Sequence, residues 1–158
     1  MPMRRSARCS RDGYAALAGV ASAVADVSAA VTDTHPLLFH AAGSGKVGRR
    51  AARMFEAAEQ RACLIYVPAA VLWETSLLAR VGRIDLQRPV GRFFGDLFSN
   101  PAYQPVELTA EQVYLADEIR PNEDPFDALV CAAARHLAVP LLTSDADIID
   151  SRLVRTIW

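Results

Sequence analysis

The stretch "NEDPFDALVCAAARHLAVPLLTSDADIID" (residues 122–150) decides the fold, because it predicts a helix followed directly by a buried strand. Asp124 suits the N-cap of that helix, and Pro125 suits its first position. Apolar residues then recur at helical spacing and would face a core: Phe126, Leu129, Val130, Ala133 and Leu137. The short apolar run "VPLLTS" (139–144) is typical of a strand inside a sheet. The stretch therefore indicates one helix-to-strand unit with acidic residues at both ends.

The chain upstream and downstream of this unit continues the alternation of strands and helices. Further strands are predicted at residues 28–33, 63–67, 103–108 and 153–158. Capped or amphipathic helical segments are predicted between the first strand and the helix that Asp124 caps. They cover residues 36–42, 47–62, 69–82, 88–100 and 109–119. Such alternation predicts an α/β fold whose mostly parallel sheet is covered by helices on both faces.

The overall composition is that of one globular domain without a strong charge bias. The 158 residues are 52% hydrophobic and 22% charged, with a formal net charge of -1. This balance argues against a protein that coats nucleic acid, and no apolar run is long enough to span a membrane. Cys63 and Cys131 lie in apolar runs without a C-x-x-C pair, which predicts buried thiols in a reducing, cytoplasmic compartment.

The first 27 residues differ in composition from the rest. Four arginines precede an alanine-rich run in which Asp26 interrupts the apolar character, so the segment only partly resembles a secretory signal. We expect residues 1–27 to be a flexible extension or the product of a start codon assigned too far upstream. A single domain would then occupy residues 28–158.

The segment "GSGKVG" (43–48) satisfies the letters of the dinucleotide-binding motif G-x-G-x-x-G. That motif must follow a strand directly, whereas a helical segment precedes this one. Lys46 is followed by Val47 instead of Ser or Thr, so the segment is not a phosphate-binding P-loop either. We interpret it as a loop that connects two helices.

Four acidic residues from separate segments form the strongest chemical pattern. Asp33 and Asp145 follow strands, and ligands bind at the carboxyl edge of open parallel sheets. Asp127 lies in the first turn of the late helix, and Glu74 interrupts the apolar segment "VLWETSLL" (71–78). Clustered carboxylates repel one another without cations, and their oxygens suit Mg²⁺ or Mn²⁺. The pattern therefore predicts a divalent metal site.

Structural roles can explain several of these acids equally well. Asp124 reads as an N-cap, with Asp127 as its capping-box partner. Asp33 and Asp145 could cap the elements that follow them. Asp147 and Asp150 are interpreted as solvated acids in a loop. Glu74 alone has no structural role that the sequence reveals.

Four segments, in order and spacing, resemble the PIN domain and within it the VapC-type ribonuclease toxins of bacterial toxin–antitoxin pairs. The resemblance extends from residue 28 to the last predicted strand and is carried by four segments: "TDTHPLLF" (32–39), "VLWETSLLARVGRIDL" (71–86), "DPFDALVCAAA" (124–134) and "LLTSDADI" (141–148).

The resemblance implies a fold, a chemistry and partners. The implied fold is a three-layer α/β/α sandwich, and the implied activity is hydrolysis of RNA phosphodiesters by water activated on Mg²⁺ or Mn²⁺. The implied catalytic and metal-binding residues are Asp33, Glu74, Asp127 and Asp145, with Asp124, Asp147 and Thr143 as auxiliaries. The family also implies an RNA substrate, a homodimer and a cognate antitoxin that covers the active site.

Two departures from the family pattern concern residues beside the acids. Many relatives have Arg after "DPFD", where this chain has Ala128. A Lys that often follows the Glu by one helical turn is replaced by Leu78. These differences leave the acids intact and bear on substrate contacts and subfamily.

Contacts to RNA outside the acids are less defined by the sequence. Arg49, Arg50 and Arg53 form a basic patch that would suit phosphate contact or serve as a solvated helix face. His35 would bind metal or substrate, or act as a hydrogen-bonded structural residue.

Two further functions stay open at this point. One is a metal-dependent phosphohydrolase of another α/β fold, which the sequence Asp33-Thr34-His35 disfavours because aspartyl-nucleophile enzymes usually carry D-x-D there. The other is a PIN-like binding module without catalysis, which the presence of all four acids disfavours.

Overall fold

The computed structural model describes residues 28–158, so the expectation for residues 1–27 lies outside the described part of the chain. Residues 28–158 form five strands and seven helices. The strands are β1 (Ala29–Thr32), β2 (Leu64–Pro68), β3 (Tyr103–Val106), β4 (Leu141–Leu142) and β5 (Thr156–Ile157). The helices are α1 (Thr34–Ala41), α2 (Arg49–Glu59), α3 (Ala69–Arg80), α4 (Val90–Phe98), α5 (Ala110–Glu118), α6 (Pro125–His136) and α7 (Ala146–Ser151).

The five strands form one sheet in the order β3-β2-β1-β4-β5, and every neighbouring pair is parallel. Val31 of β1 pairs with Tyr66 of β2 on one side and with Leu141 of β4 on the other. The chain therefore moves outward from β1 to β3 and then returns to the opposite side of β1. This reversal between β1 and β4 opens a crevice at the carboxyl edge, where ligands of open parallel sheets bind.

Both faces of the sheet are covered. Ala30, Val31 and Thr32 are consecutive on β1 and all have zero exposure, although successive side chains of a strand point to opposite faces. Leu141 and Leu142 of β4 are likewise fully buried. The predicted α/β fold with a parallel sheet between helical layers is confirmed, and all five strands are parallel.

Helix α6 is the most deeply buried helix of the core. It packs against α3, α5, β1 and β4, and its alanines at 132–134 are at most 1% exposed. Small side chains let the helix axis approach the sheet closely, while Val130 and Cys131 fill the remaining space. The predicted Asp124 cap is present, since Asp124 Oδ1 accepts from the Phe126 backbone N–H at 2.8 Å.

Some local predictions were wrong. Asp147 and Asp150 lie on α7 and not in a loop, although both are exposed as expected. A helix of six residues is too short to produce a periodic apolar pattern, and only Ile148 of α7 is buried. Pro68 ends β2 and serves as the N-cap of α3.

Two further expectations concern the cysteines and the membrane. Cys63 and Cys131 are buried free thiols, as predicted. Within residues 28–158, none of the helices combines the length and apolar character needed to cross a bilayer.

Candidate active site

The carboxyl edge of the sheet holds a depression of about 390 Å³ that we call the acid pocket. Its position follows from the topology, because β1 and β4 are neighbours and the strand order reverses between them. The pocket brings together all four acids singled out in the sequence, together with residues from α1 and α7. Its lining consists of Asp33, His35, Phe39, Glu74, Asp124, Asp127, Ser144, Asp145 and Ala146.

Asp33 lies at the floor of the acid pocket and is only 7% exposed. Its Oδ1 accepts from the Thr34 backbone N–H at 2.7 Å, which makes it the N-cap of α1. Its Oδ2 accepts from the Thr143 hydroxyl at 2.8 Å. The capping role and the position in the pocket therefore coexist in one carboxylate.

Thr143 connects the acids that follow β1 and β4. Its fully buried hydroxyl donates to Asp33 and accepts from the Asp145 backbone N–H at 3.0 Å. Asp145 Oδ1 in turn accepts from the Ile148 backbone N–H at 3.0 Å and caps α7. One hydroxyl thus fixes the spacing between two strand ends.

Glu74 reaches the acid pocket from α3. The Thr34 hydroxyl, itself fully buried, donates to Glu74 Oε2. This contact explains why an acid can interrupt the apolar segment of α3, since its carboxylate points to the start of α1 instead of into the core. Thr34 is a site residue that the sequence analysis missed.

Asp127 is held by Asn122, a second residue that the sequence analysis missed. Asn122 Nδ2 donates to Asp127 Oδ2 at 2.7 Å and lies 3.4 Å from Asp147 Oδ2. Asn122 Oδ1 also accepts from the Asp124 backbone N–H at 2.8 Å. The capping-box role considered for Asp127 is thus filled by Asn122, and the Asp127 carboxylate is left to face the pocket.

Burial and mutual repulsion raise the pKa of three acids of the pocket. The pKa of Asp127 rises to about 6, chiefly through burial and further through the charges of Asp33, Asp124 and Asp145, against the hydrogen bond from Asn122. Burial also raises the pKa of Asp33 and of Glu74, with hydrogen bonds from Thr143 and Thr34 acting in the opposite direction. A nearby cation would relieve this repulsion.

The donor set of the acid pocket fits a hard divalent cation, because carboxylate and hydroxyl oxygens predominate in it over the single imidazole of His35. The lining includes no Lys or Arg to neutralise the acids. Within residues 28–158, however, no three His, Cys, Asp or Glu side chains are grouped closely enough to hold a metal ion as they stand. Metal binding would therefore require some of the pocket carboxylates to turn toward one another.

The remaining sequence-predicted residues fall into two groups. Arg49, Arg50 and Arg53 are exposed on α2 and do not line the acid pocket. His35 does line it, is exposed, and has no side-chain hydrogen bond within the described residues. The reading of His35 as a hydrogen-bonded structural residue is therefore not supported.

Thr34 and Asn122 share a reason for being missed. Each acts through a contact with a residue elsewhere in the fold or on a neighbouring turn, and a Thr or Asn beside an acid is common in loops and caps. The available signals were the position of Thr34 next to Asp33 and the Asx-turn letters "PNED" (121–124).

Comparison with known proteins agrees with this fold. The family model described as "PIN domain" matches residues 30–152. No curated protein sequence matches the chain.

Solved structures share the fold at low sequence identity. The VapBC2 crystal structure from Rickettsia felis, bound to a DNA fragment from its promoter, matches with a TM-score of 0.60 and 12% identity over 82% of this chain and 97% of that one. A toxin–antitoxin complex from Klebsiella pneumoniae matches with a TM-score of 0.55 and 15% identity over 82% of this chain and 96% of that one. The crystal structure of PAE2754 from Pyrobaculum aerophilum matches with a TM-score of 0.50 and 16% identity over 82% of this chain and 83% of that one.

Proposed function

The chain belongs to the PIN domain family, and on this premise we propose that it is a divalent-metal-dependent endoribonuclease of the VapC type. The observation that carries the proposal is the convergence of Asp33, Glu74, Asp127 and Asp145 on one pocket at the strand-order reversal. Family membership also removes the alternative of a phosphohydrolase with another α/β fold.

The four acids are the residues that would hold Mg²⁺ or Mn²⁺, with Asp124, Asp147 and Thr143 in supporting positions. When bound, such ions lower the pKa of water and stabilise the charge that develops on a phosphodiester. Thr143 and Thr34 orient the carboxylates of Asp33 and Glu74, so that the negative charge stays directed into the pocket. Asn122 does the same for Asp127.

The raised pKa of the half-buried Asp127, about 6, belongs to the pocket without a cation. A divalent ion bound beside Asp127 would favour the charged carboxylate and so lower this pKa. In the proposed reaction Asp127 therefore acts as a metal ligand. Asp33, more deeply buried and hydrogen-bonded on both oxygens, would be held in a fixed orientation toward the same ion.

Cleavage of a labelled single-stranded RNA tests this function. We expect cleavage with Mg²⁺ or Mn²⁺, its loss in chelator, and a loss of 100-fold or more in Asp33→Asn and Asp127→Asn, as for removal of a group that stabilises transition-state charge. Arg135→Gln, a change at the far end of α6, is the matched control and should cleave normally. Cleavage that survives chelator, or that both variants retain, would refute the mechanism.

The proposed biological role is that of a toxin held inactive by a cognate antitoxin. The support is the family together with the fold shared with VapBC2 and with a toxin–antitoxin complex. A small neighbouring gene whose product co-purifies with this chain and blocks RNA cleavage would establish the pair. A chain that is active and unaffected by its neighbouring gene products would contradict this role.

One observation favours a second candidate, a PIN-like module that binds a partner without catalysis. No three of the acids are grouped for metal binding as they stand. Calorimetric titration with Mn²⁺ separates the two functions, because the nuclease requires binding that Asp33→Asn weakens. Absence of Mn²⁺ binding, both alone and with RNA present, would favour the binding module.

A further inference from the structure

The acid pocket presents an electrostatic problem for a polyanionic substrate. Five carboxylates line it and no Lys or Arg does, so metal ions alone would have to attract the RNA. Proteins that bind single-stranded nucleic acid usually combine cations that follow the phosphates with aromatic rings on which bases stack. The rim of the pocket is therefore the place to look for both.

Phe39 occupies that rim, on the side where a second cavity begins. This neighbouring cavity has a volume of about 490 Å³ and shares His35 and Phe39 with the acid pocket. Ile84, Leu86, Arg88 and Phe93 are among the residues on its far side. Phe39 is half-buried, so its ring is anchored in α1 while part of it faces the two cavities.

Lys46 stands directly over this ring. Its Nζ lies 5.5 Å from the centre of Phe39, within the range of a cation–π contact. The contact depends on the loop between α1 and α2, in which Gly43 and Gly45 adopt left-handed φ values of 59° and 68°. The loop "GSGKVG" thus lacks the context of a cofactor site but presents an exposed lysine over Phe39, whose ring lines both cavities.

His35 completes the cluster from the other side. Its ring lies 6.0 Å from that of Phe39 at an interplanar angle of 50°, and it is exposed toward both cavities. Both rings line the acid pocket and the neighbouring cavity, so they form an aromatic surface where the two cavities meet.

We propose that Phe39 and Lys46 form a nucleotide subsite next to the acid pocket, where an unpaired base of single-stranded RNA stacks on Phe39 while Lys46 contacts an adjacent phosphate. The proposal rests on the proposed nuclease function for its substrate. Stacking on a side-chain ring requires a base that is free of a helical partner, so the subsite selects unpaired segments. The neighbouring cavity then continues the path of the strand away from the acids.

Binding of RNA tests the subsite separately from cleavage. The probe is a fluorescein-labelled 12-nucleotide single-stranded RNA, titrated by anisotropy into the full chain in Ca²⁺. Phe39→Leu keeps the apolar contacts and should lower the affinity about tenfold, whereas Phe39→Trp should retain it. Replacing single nucleotides of the probe by abasic ones should locate one position at which Phe39→Leu has no further effect.

Lys46 is tested by the salt dependence of the same titration. The slope of log K against log salt is negative, and loss of one phosphate contact on a single strand reduces its magnitude by about 0.7. We expect that change in Lys46→Gln but not in Lys46→Arg. Arg135→Gln removes an equal charge at the far end of α6 and should leave the slope unchanged.

The outcomes separate the subsite from the nuclease function. If the wild type binds RNA and Phe39→Leu and Lys46→Gln show the expected losses in affinity and in salt dependence, the subsite is supported even without cleavage. Absence of cleavage would then refute only the proposed nuclease function. Cleavage by a wild type whose affinity neither Phe39→Leu nor Lys46→Gln alters would overturn the subsite and leave the nuclease standing.

Discussion

Three acids of the pocket, Asp33, Glu74 and Asp127, each accept a hydrogen bond from a different polar side chain, and these neighbours decide how the carboxylates point. Thr143 is the most connected of them, because its hydroxyl bonds both Asp33 and the backbone of Asp145. The strand ends that carry these acids are adjacent only in the folded sheet. A single hydroxyl therefore maintains the geometry that the proposed chemistry needs.

Replacement of Thr143 tests this role. Thr143→Val keeps the shape but leaves the buried Asp33 oxygen and the Asp145 N–H without partners, which costs about 1–3 kcal/mol of stability. We expect RNA cleavage to fall tenfold or more in Thr143→Val and to recover largely in Thr143→Ser. Urea unfolding and cleavage rates measure the two effects, and a fully active Thr143→Val would show that this hydroxyl is dispensable.

The raised pKa of Asp127 has a consequence for stability in the absence of metal. A carboxyl whose folded-state pKa is raised from 3.8 to about 6 stabilises the fold at low pH and loses that contribution as pH rises through about 6. The full shift corresponds to about 3 kcal/mol, and partial exposure of the carboxyl reduces it to about 1–2 kcal/mol.

We therefore expect the wild type in chelator to lose stability between pH 4 and pH 7.5 relative to Asp127→Asn. The difference between the two unfolding free energies measures Asp127 together with its coupling to the neighbouring acids. Urea unfolding followed by circular dichroism at the two pH values measures it. A difference that does not depend on pH would mean that Asp127 has an ordinary pKa.

A residue of the candidate site was predictable where the sequence places an acid in an unusual position, as with Glu74 in an apolar segment. Thr34 was not predictable as a site residue, because its contact with Glu74 joins residues 40 positions apart. A hydroxyl beside an acid has many local uses, so only the folded chain shows which acid it serves. The sequence alone thus indicated the four acids, which remain predictions as catalytic residues, but not the groups that hold them.

At the scale of the elements, long segments with clear caps were predicted closely, whereas the short helix α7 was missed and the short strand β5 was predicted too long, at residues 153–158. Helix α6 has a capping Asp, a Pro at its first position and an apolar face, and each feature favours the same helix. Helix α7 and strand β5 have six and two residues, which is too few for a periodic pattern. Tertiary contacts determine such short elements.

The start of α2 depends on a close approach that the sequence does not reveal. A Cβ on Gly48, the N-cap of α2, would lie 2.6 Å from both the backbone and the indole of Trp158. We expect Gly48→Ala to displace Trp158 and to cost about 1–3 kcal/mol. The melting temperature of the variant measures this.

Gly95→Ala is the matched control for that substitution. Gly95 lies within α4 with nothing within 4 Å of an added Cβ, so alanine there should stabilise the protein by about 0.4–1 kcal/mol. Equal effects of the two substitutions would show that the contact between Gly48 and Trp158 does not matter for stability.

At the scale of the whole molecule, one apolar surface is left open between α5 and α6. A cleft of about 270 Å³ there is lined by Leu108 and Val113, which are 46% and 43% exposed. Exposed apolar clusters of this kind often mark interfaces, and the cleft fits the homodimer expected of the family. We expect a dimer in solution that Val113→Arg converts to a monomer.

Sedimentation velocity measures that conversion, with Arg135→Gln as a charge-change control that should stay dimeric. A wild type that is monomeric at all concentrations would contradict the dimer. A dimer that Val113→Arg leaves intact would place the interface elsewhere.

The topology of the molecule brings the acids to one location, where a bound cation would offset the repulsion between their carboxylates. Strand order places Asp33 and Asp145 at one reversal point, and α3 and α6 bring Glu74 and Asp127 to the same pocket. Without metal the cluster should destabilise the fold, and with metal it should stabilise it. We predict that metal binding reverses the sign of this contribution to stability.

The most direct test is the unfolding free energy of the wild type and Asp127→Asn at pH 7.5, each in chelator and in Mn²⁺. In chelator the variant should be the more stable by about 1–2 kcal/mol, because a repelled carboxylate has been removed. At a Mn²⁺ concentration of about 100 times Kd, the wild type should gain about 2.7 kcal/mol and become the more stable protein. If Mn²⁺ leaves the wild type unchanged, or stabilises both proteins equally, the acid pocket is not the metal site.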